Sequence, residues 1–405
     1  LEDIHWGDDS SLDMVMHLGE FVPQLPLLVV SAARPALFER RPFWGEGQAF
    51  HKQLELHPLS KRESRQLVAE ILQLAEEIPS ELRELVVSGA EGNPFYLEEL
   101  VKMLIEDGVV IPGEETWEID LTRLEQVDIP STLAGVLQAR LDSLPGYERA
   151  VLQQASVVGR LFWDRIVSYI QSGDGDGDDP QRIPLALTSL RNRELVYRHE
   201  ESAFIGAVEY LFKHDVLREV TYESVIKRLR KTYHGLVAEW LIANSGDRIG
   251  EYSGLIGEHA HLAGREELAG EYFKRAGDAA LASFANTEAE EYYRQALNST
   301  ASAPSRADIL LGLGKALRQL VRYDQASQVF REAIELYKDL GNSDQVGHVY
   351  ANWTPIYLLI DEIKAWTICQ EGLDLLADSE DCPGYSRLLA ESGKFAMWRK
   401  LYEEA

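Results

Sequence analysis

The sequence of 405 residues lacks several features that would each mark a class of protein. It has two cysteines, Cys369 and Cys382, too few for a disulfide framework or a zinc site and suited to a reducing cytoplasm. No apolar run approaches the ~20 residues of a membrane-spanning helix. The longest, Leu25 to Ala33, is short and interrupted by Pro26, so no membrane span is expected. No secretory signal is visible after Leu1. Cations are scarce, with 40 Lys and Arg against 67 Asp and Glu, a formal charge of −27. Phosphate contacts supply most nucleic-acid affinity, so this balance disfavours polyanion binding over most of the surface. No Gly-x-x-x-x-Gly-Lys-[Ser/Thr] phosphate loop occurs anywhere. Its nearest approach, Gly312-Leu313-Gly314-Lys315-Ala316, lacks the hydroxyl and the leading glycine and falls in a helical pattern.

What is present begins with Leu1-Glu2-Asp3-Ile4-His5-Trp6, two carboxylates followed by an apolar step and an aromatic. Such pairs sit at the exposed end of a buried parallel strand. There one carboxylate holds the Mg²⁺ of a nucleotide, usually through water, and the other orients the attacking water. The strand that should carry the pair is missing along with the phosphate loop, so the chain reads as a fragment cut inside a nucleotide-binding domain. Residues 26–33, Pro-Leu-Leu-Val-Val-Ser-Ala-Ala, are predicted to form a parallel strand covered on both faces. Pro35 ends it and leaves Arg34 at its carboxyl end, where ligands bind in open α/β sheets. Residues 50–56 alternate in polarity, which predicts a last short strand.

From Ser60 the pattern turns helical. Ser60-x-x-Glu63 is a capping box opening a helix to about Glu76, and Pro79-Ser80 opens another that ends near Gly89. Gly92-Asn93-Pro94-Phe95 is a turn into a helix over Tyr96 to Glu106, with Gly108 as its stop. Residues 109–111 and 116–119 flank a Pro-Gly-Glu-Glu turn and predict a small hairpin. Ile129-Pro130-Ser131-Thr132 caps a helix whose apolar face is Leu133, Leu137, Leu141 and Leu144. Helical stretches near 146–158, 161–171 and 181–193 precede a hairpin over 195–199 and 203–212, which together make a winged helix.

Beyond residue 226 the chain is helical and repetitive. Ala289, Tyr293 and Ala296 recur 37 residues later as Ala326, Phe330 and Ala333, and Gly277 recurs as Gly314. The Ala-x-x-x-aromatic-x-x-Ala spacing, with a small residue twelve positions earlier, resembles the tetratricopeptide repeat. A weaker copy follows at Ala365, Cys369 and Gly372, and Leu310, Leu313, Leu317 and Leu320 give one helix an apolar stripe. Single repeats cannot bury their faces, so they stack.

Taken together these segments resemble the STAND class of signalling ATPases. The likeness is nearest to the ATPase module joined to adenylate or guanylate cyclases, Ser/Thr kinases and some large bacterial transcription activators. It is carried by Leu-Glu-Asp-Ile-His-Trp-Gly-Asp (1–8), Val-Val-Ser-Ala-Ala-Arg-Pro (29–35), Gly-Asn-Pro-Phe-Tyr-Leu-Glu-Glu-Leu (92–100) and Ile-Pro-Ser-Thr-Leu (129–133). Ala-Arg-Leu-Asp-Ser-Leu-Pro (139–145), Phe-Lys-His-Asp-Val-Leu-Arg-Glu-Val-Thr-Tyr (212–222) and Tyr-Arg-Gln-Ala-Leu (293–297) extend it along the whole chain. The resemblance implies a mainly α protein with the C-terminal remnant of an α/β P-loop core over 1–58. A helical lid with a small hairpin would follow over 59–128, a winged helix over 129–225 and TPR-like repeats over 226–405. It implies that Glu2 and Asp3 form the acid pair toward catalysis and nucleotide-bound Mg, with either one facing the metal, and that Arg34 reads the terminal phosphate. Pro94 would pack on adenine, and His214, beside Asp215, would reach the ADP β-phosphate and lock the module shut. ATP or ADP with Mg is then the cofactor of a slow NTPase parent of the kind fused to a nucleotide cyclase or kinase, none held tightly by the fragment and the fragment itself inactive. A protein or peptide would bind the repeats, with self-association possible in the active state, in the cytoplasm.

Two other functions fit the same residues: a non-enzymatic repeat scaffold with an inert ATPase remnant, and a DNA-binding regulator. The helix expected over Gln181 to Arg193 carries Arg182, Arg191 and Arg193, but the acidic stretch Asp174 to Asp179 adjoins it and opposes DNA entry. That stretch alternates like an EF-hand loop, yet its sixth position is Asp179 and its twelfth Leu185, where Gly and a bidentate Glu are needed. It reads as an acidic insertion. The basic run Lys227, Arg228, Arg230 and Lys231 reads as a solvated, salt-bridged helix face.

Overall fold

The computed structural model describes every residue except 22–25, 125, 128, 174–181, 359, 380 and 404–405, with no side chains described at 395, 396 and 398–403. The Asp174 to Asp179 stretch and Gln181 therefore lie outside the described residues. The chain is mainly helical and divides into two compact units, Leu1–Lys52 with Leu241–Ala405, and Gln53–Trp240.

The first unit opens on a single 3₁₀ turn over Ile4–Trp6, then α1 (Asp9–Phe21) and α2 (Ala36–Arg40). Their shared core is small: Ile4, Leu12 and Leu37, with Trp44 packed on it. The run 26–33 does not become a covered strand. It forms no strand and belongs to no sheet, and Leu28 and Val30 are 84% and 70% exposed. The expected strand over 50–56 is likewise absent, with Leu54 and Leu56 exposed. A parallel strand needs neighbours and helices on both faces, and no sheet among the described residues includes either run. The run does keep one piece of strand chemistry. The Leu1 ammonium donates to the Val30 carbonyl at 2.7 Å, Ala32 N–H to Leu1 at 2.8 Å and Ile4 N–H to Ala32 at 3.0 Å.

In the second unit α3 (Lys61–Ile71) carries the full capping box, with Ser60 and Glu63 each accepting the other's backbone N–H. It ends five residues short of Glu76, because the Leu74 carbonyl accepts the Trp117 N–H and Ala75 bridges to Trp117. α4 (Ser80–Ala90) and α5 (Pro94–Glu106) complete a three-helix cluster, closed by the antiparallel pair β1 (Val110–Ile111) and β2 (Glu118–Ile119). Leu82, Val86, Leu97, Leu100 and Leu104 form its fully buried centre.

A one-turn helix α6 (Leu121–Leu124) leads to α7 (Leu133–Ser143), whose Thr132 hydroxyl caps the Gly135 N–H at 3.1 Å. Such caps contribute roughly 1 kcal/mol. Then come α8 (Gly146–Val158), β3 (Leu161–Trp163), α9 (Asp164–Gly173), α10 (Arg182–Asn192) and the hairpin β4 (Val196–Arg198) and β5 (Glu209–Phe212). The three strands are antiparallel in the order β3-β5-β4, with Phe162 opposite Tyr210 and Tyr197 opposite Leu211. This helix and strand order is that of a winged helix. Residues 161–163 depart from the helix expected there: Gly159 (φ 152°) breaks α8, and Phe162 and Trp163 are buried in pairing with β5. α11 (Asp215–Ser224) follows, and α12 (Lys227–Asn244) passes in sequence from this unit to the next.

The rest of the first unit is a helical array: α13 (Ile249–Leu262), α14 (Glu266–Ala282), α15 (Asn286–Ser299), α16 (Ala303–Gln319), α17 (Tyr323–Asp339), α18 (Ser343–Trp353), α19 (Glu362–Leu375) and α20 (Pro383–Glu403). Ala289, Ala296, Ala326 and Ala333 are fully buried, as are Tyr293 and Phe330 between them. The glycine twelve positions upstream has a steric reason. A Cβ on Gly277 would lie 2.9 Å from the Tyr293 ring, and one on Gly314 would lie 2.3 Å from Phe330. The aromatic is seated directly against the neighbouring backbone. Gly257, Ala269, Phe273 and Ala276 repeat the arrangement one helix earlier, with the Gly257 Cβ position 2.6 Å from Phe273. The spacing of that copy was legible, but its offset of 20 residues rather than 37 hid it.

Candidate functional site

In the first unit backbone bonds join Leu1 and Ile4, on either side of the acid pair, to residues 30–32. These bonds set the register, and His5 extends it: the buried imidazole accepts the Arg34 N–H at its Nδ1, 3.4 Å. A neutral His5 that accepts at Nδ1 carries its proton on Nε2. That Nε2 is buried and has no hydrogen-bond partner among the described residues. Asp3 begins the 3₁₀ turn with φ 52°, a left-handed backbone that a non-glycine residue adopts at a cost of ~1–2 kcal/mol. Glu2 is exposed and Asp3 half-buried. Arg34 is exposed, while the two arginines beyond it are engaged. Arg40 donates to the His5 carbonyl at 3.2 Å, and Arg41 pairs with Asp9 at 3.0 Å and with Asp13 at 2.5 Å.

In the second unit Asn93 caps α5, its side chain accepting the Phe95 N–H at 3.0 Å and that of Tyr96 at 3.4 Å. Pro94 occupies the first helical position, where its missing N–H leaves nothing unsatisfied, and is exposed. Gly92 must be glycine: its φ is +80°, and a Cβ would meet the Leu59 carbonyl oxygen at 2.3 Å. The residue after Pro94 makes the decisive contact. Phe95 and His214 meet ring to ring, with centroids 3.8 Å apart and planes inclined by 44°. The Gly-Asn-Pro-Phe turn and the start of α11 are thus brought together. His214 Nε2 is buried and has no hydrogen-bond partner among the described residues, and its pKa is lowered by burial.

A charge network lies beside this contact. Lys213 pairs with Glu194 at 2.8 Å and with Glu98 at 3.5 Å, and Lys102 reaches Glu194 at 2.7 Å. Hydrogen bonds from the two lysines hold the Glu194 carboxyl down to about 2. Glu99 and Arg140, both fully buried, form an ion pair, and Arg140 also reaches Glu106 at 3.0 Å. Neither Phe95 nor this network was among the residues expected from the sequence. The signal for Phe95 was its place in the Gly-Asn-Pro-Phe turn, whereas a network spread over residues 98–213 leaves no local signature.

Arg182 and Arg191 of α10 are exposed, and Arg193, just beyond the helix, is half-buried. The Arg182 guanidinium lies over the Tyr147 ring at 3.8 Å, and Arg193 approaches Glu148 at 3.6 Å and Glu106 at 3.8 Å. Of the basic run, Arg230 donates to the Val225 carbonyl at 2.8 Å and covers Tyr222. Among the described residues no group of three or more His, Cys, Asp or Glu has the geometry to hold a metal, and no helix is long and apolar enough to cross a membrane. The residues present do not amount to a nucleotide cradle. They offer two carboxylates and an arginine in one unit and a proline and a histidine in the other, with no phosphate loop in the sequence.

A family model described as a domain of unknown function, DUF8739, matches residues 60–111, which correspond to α3 through β1. An uncharacterised protein of Rhizobium meliloti (strain 1021) is 24% identical over 375 residues, covering 88% of this chain and 33% of that protein. The crystal structure of a Signal Transduction ATPase with Numerous Domains (STAND) protein with a tetratricopeptide repeat sensor, from Pyrococcus horikoshii, aligns with 98% of this chain and 59% of its own, at 13% identity and a TM-score of 0.42. The chain thus spans a third of the curated relative and about three-fifths of that solved chain.

Proposed function

We propose that this chain is the switch and sensor portion of an ATP- or ADP-operated signalling protein, in which the helical repeats bind a protein partner. The observation that carries this reading is the Phe95–His214 contact. His214, whose Nε2 has no hydrogen-bond partner among the described residues, packs on the residue that follows the exposed Pro94, and the family resemblance would put His214 and Pro94 on the nucleotide. In support, the acid pair is tethered by backbone bonds and His5 to the segment ending at Arg34. Mg-nucleotide binding and any slow hydrolysis belong to a longer protein, since the phosphate loop is not among these residues. DNA binding by the winged helix is disfavoured by Arg182 and Arg193 being engaged within the fold and by the −27 charge. The test is nucleotide content. The longer protein should retain ADP on purification and lose it on His214→Ala, with its partner binding changed by nucleotide. A longer protein that carries no nucleotide and binds its partner identically with or without ATP would replace this reading with that of a plain repeat scaffold.

A further inference from the structure

The two edges of the repeat array are built differently. Five residues before the first alanine of each repeat, Ala289, Ala326 and Ala365, stand Phe284, Val321 and Ile360. They lie in the loops that precede α15, α17 and α19. Successive helices run antiparallel, so every second loop falls at the same edge and these three share one. All three side chains are exposed, at 78%, 65% and 63%. Phe284 and Val321 also hold a left-handed backbone, with φ 63° and 61°. Each closes a helix: the Ala285 N–H donates to the Ala280 carbonyl and the Arg322 N–H to that of Leu317, both at 2.9 Å. Glycine is the usual residue at this position, because the conformation is costly for any side chain and most costly for a β-branched one. The opposite edge follows that rule, with Gly264 (φ 71°) before α14 and Gly341 (φ 65°) before α18. At the first edge two positions combine backbone strain with an exposed apolar side chain, and neither feature helps the loop to fold. Strain retained together with exposed apolar surface marks a contact site.

The charges of this edge narrow the occupant. Asp324, Asp361 and Glu362 are exposed in the same loops and first turns, and Asp8 stands beside the half-buried Glu288. The cations there are already held. Arg322 pairs with the buried Glu290 at 2.7 Å, Arg318 donates to the Asn352 carbonyl at 3.0 Å, and the Lys364 ammonium lies 3.7 Å from the centre of the Tyr357 ring. Every strand among the described residues lies between Val110 and Phe212, in the second unit, so this edge offers no ladder to an extended peptide. An amphipathic helix brings its own backbone bonds and a continuous apolar stripe.

We infer that this edge docks an amphipathic helix of the partner, its apolar stripe on Phe284, Val321 and Ile360 and basic residues beside the stripe. The inference rests on the reading that the repeats bind a protein partner, and it adds the face used and the chemistry of the segment bound.

The test selects a displayed library of helical peptides, randomised at their surface positions, on the full chain and measures synthetic versions by fluorescence anisotropy. Selected helices should carry one apolar stripe flanked by Lys or Arg, and added salt should weaken their binding. Glycine suits the left-handed backbone, so Phe284→Gly and Val321→Gly should melt no lower than the parent. Together they should nevertheless weaken binding about tenfold or more, and Ile360→Ser should weaken it as well. Leu340→Ser, at an exposed apolar residue of the opposite edge, should leave it unchanged. Glycine variants that melt clearly lower would assign Phe284 and Val321 to packing and overturn the inference. Selected helices without the flanked stripe, or binding indifferent to the glycine variants, would overturn it while leaving a partner elsewhere on the repeats. No helix or other peptide binding at all would overturn the partner reading as well.

Discussion

The rings of Phe95 and His214 lie 3.8 Å apart, and this contact joins two short motifs separated by more than a hundred residues. It gives His214 two separable roles, an apolar face that packs on Phe95 and a polar Nε2 that is buried and unsatisfied. His214→Phe keeps the first and deletes the second. The variant chain should melt within a few degrees of the parent, because aromatic pairs of either kind contribute ~0.5–1.5 kcal/mol. In the longer protein the same variant should lose ADP. ADP retention equal to the parent's would leave His214 with packing alone.

His234 predicts an acid-sensitive second unit. It is buried, its Nε2 lies 2.9 Å from the Tyr222 hydroxyl, and burial followed by Arg218 and Arg230 lowers its pKa to about 4. The folded protein therefore binds this proton less readily than the unfolded chain does. The stabilising contribution is present in full above the unfolded value of about 6.5 and is lost as pH falls from there toward 4. The loss amounts to about 3 kcal/mol at most, at 1.36 kcal/mol per unit. Urea midpoints between pH 7 and 4 should fall in the parent chain and fall less in His234→Gln. Equal pH profiles for the two would show that this histidine is not the titrating group.

Gly314 predicts a steric penalty in the repeats. Alanine there gains roughly 1 kcal/mol of helix propensity but places a methyl 2.3 Å from the Phe330 ring. Overpacking of this kind costs ~1–3 kcal/mol, so Gly314→Ala should lower stability, and Phe330→Leu should relieve part of the loss by opening space. A Gly314→Ala chain as stable as the parent in thermal melts would mean that the α16 to α17 contact is looser than the structure shows.

Local chemistry explains what was legible beforehand. The Ser60–Glu63 box, the Thr132 cap and the Ala-aromatic-Ala spacing all act within a few residues, and each appears as written in the sequence. What failed depended on partners distant in sequence. Residues 26–33 have strand composition but no sheet to join, residues 161–163 become a strand only by pairing with β5, and α3 yields its last turn to Trp117. The same limit applies to the sites. Glu2, Asp3, Arg34, Pro94 and His214 were named from motifs, whereas the pairing of His214 with Phe95 emerges only from packing.

Arg140 and Glu99 make a strong stability prediction for the second unit. Both are fully buried and paired, and Arg140 also donates to Glu106 and to the Arg193 carbonyl, each at 3.0 Å. Removing one member of a buried pair strands the other charge, at ~3–5 kcal/mol. Glu99→Ala should therefore shift the urea midpoint strongly, whereas Glu84→Ala, at a surface pair with Arg65, should barely move it. Comparable effects from the two would contradict the buried network.

The final prediction concerns nucleotide. Phosphoryl transfer requires a cradle of backbone N–H groups, a lysine on the β- and γ-phosphates and a hydroxyl on Mg²⁺. The sequence contains no loop that supplies them. Glu2 and Asp3, at the start of the 3₁₀ turn, offer carboxylates, and Arg34 is the cation expected to face them. Two carboxylates without an opposing lysine repel a triphosphate unless Mg²⁺ is already bound. The apolar run leading to Arg34 is exposed, so the surroundings lack the dry walls that strengthen charge interactions. The purified 405-residue chain should show background ATPase activity and no rise in melting temperature with Mg-ATP. A clear shift at micromolar Mg-ATP would place the nucleotide site elsewhere in these residues, and Asp3→Ala and Arg34→Ala would then leave that shift intact.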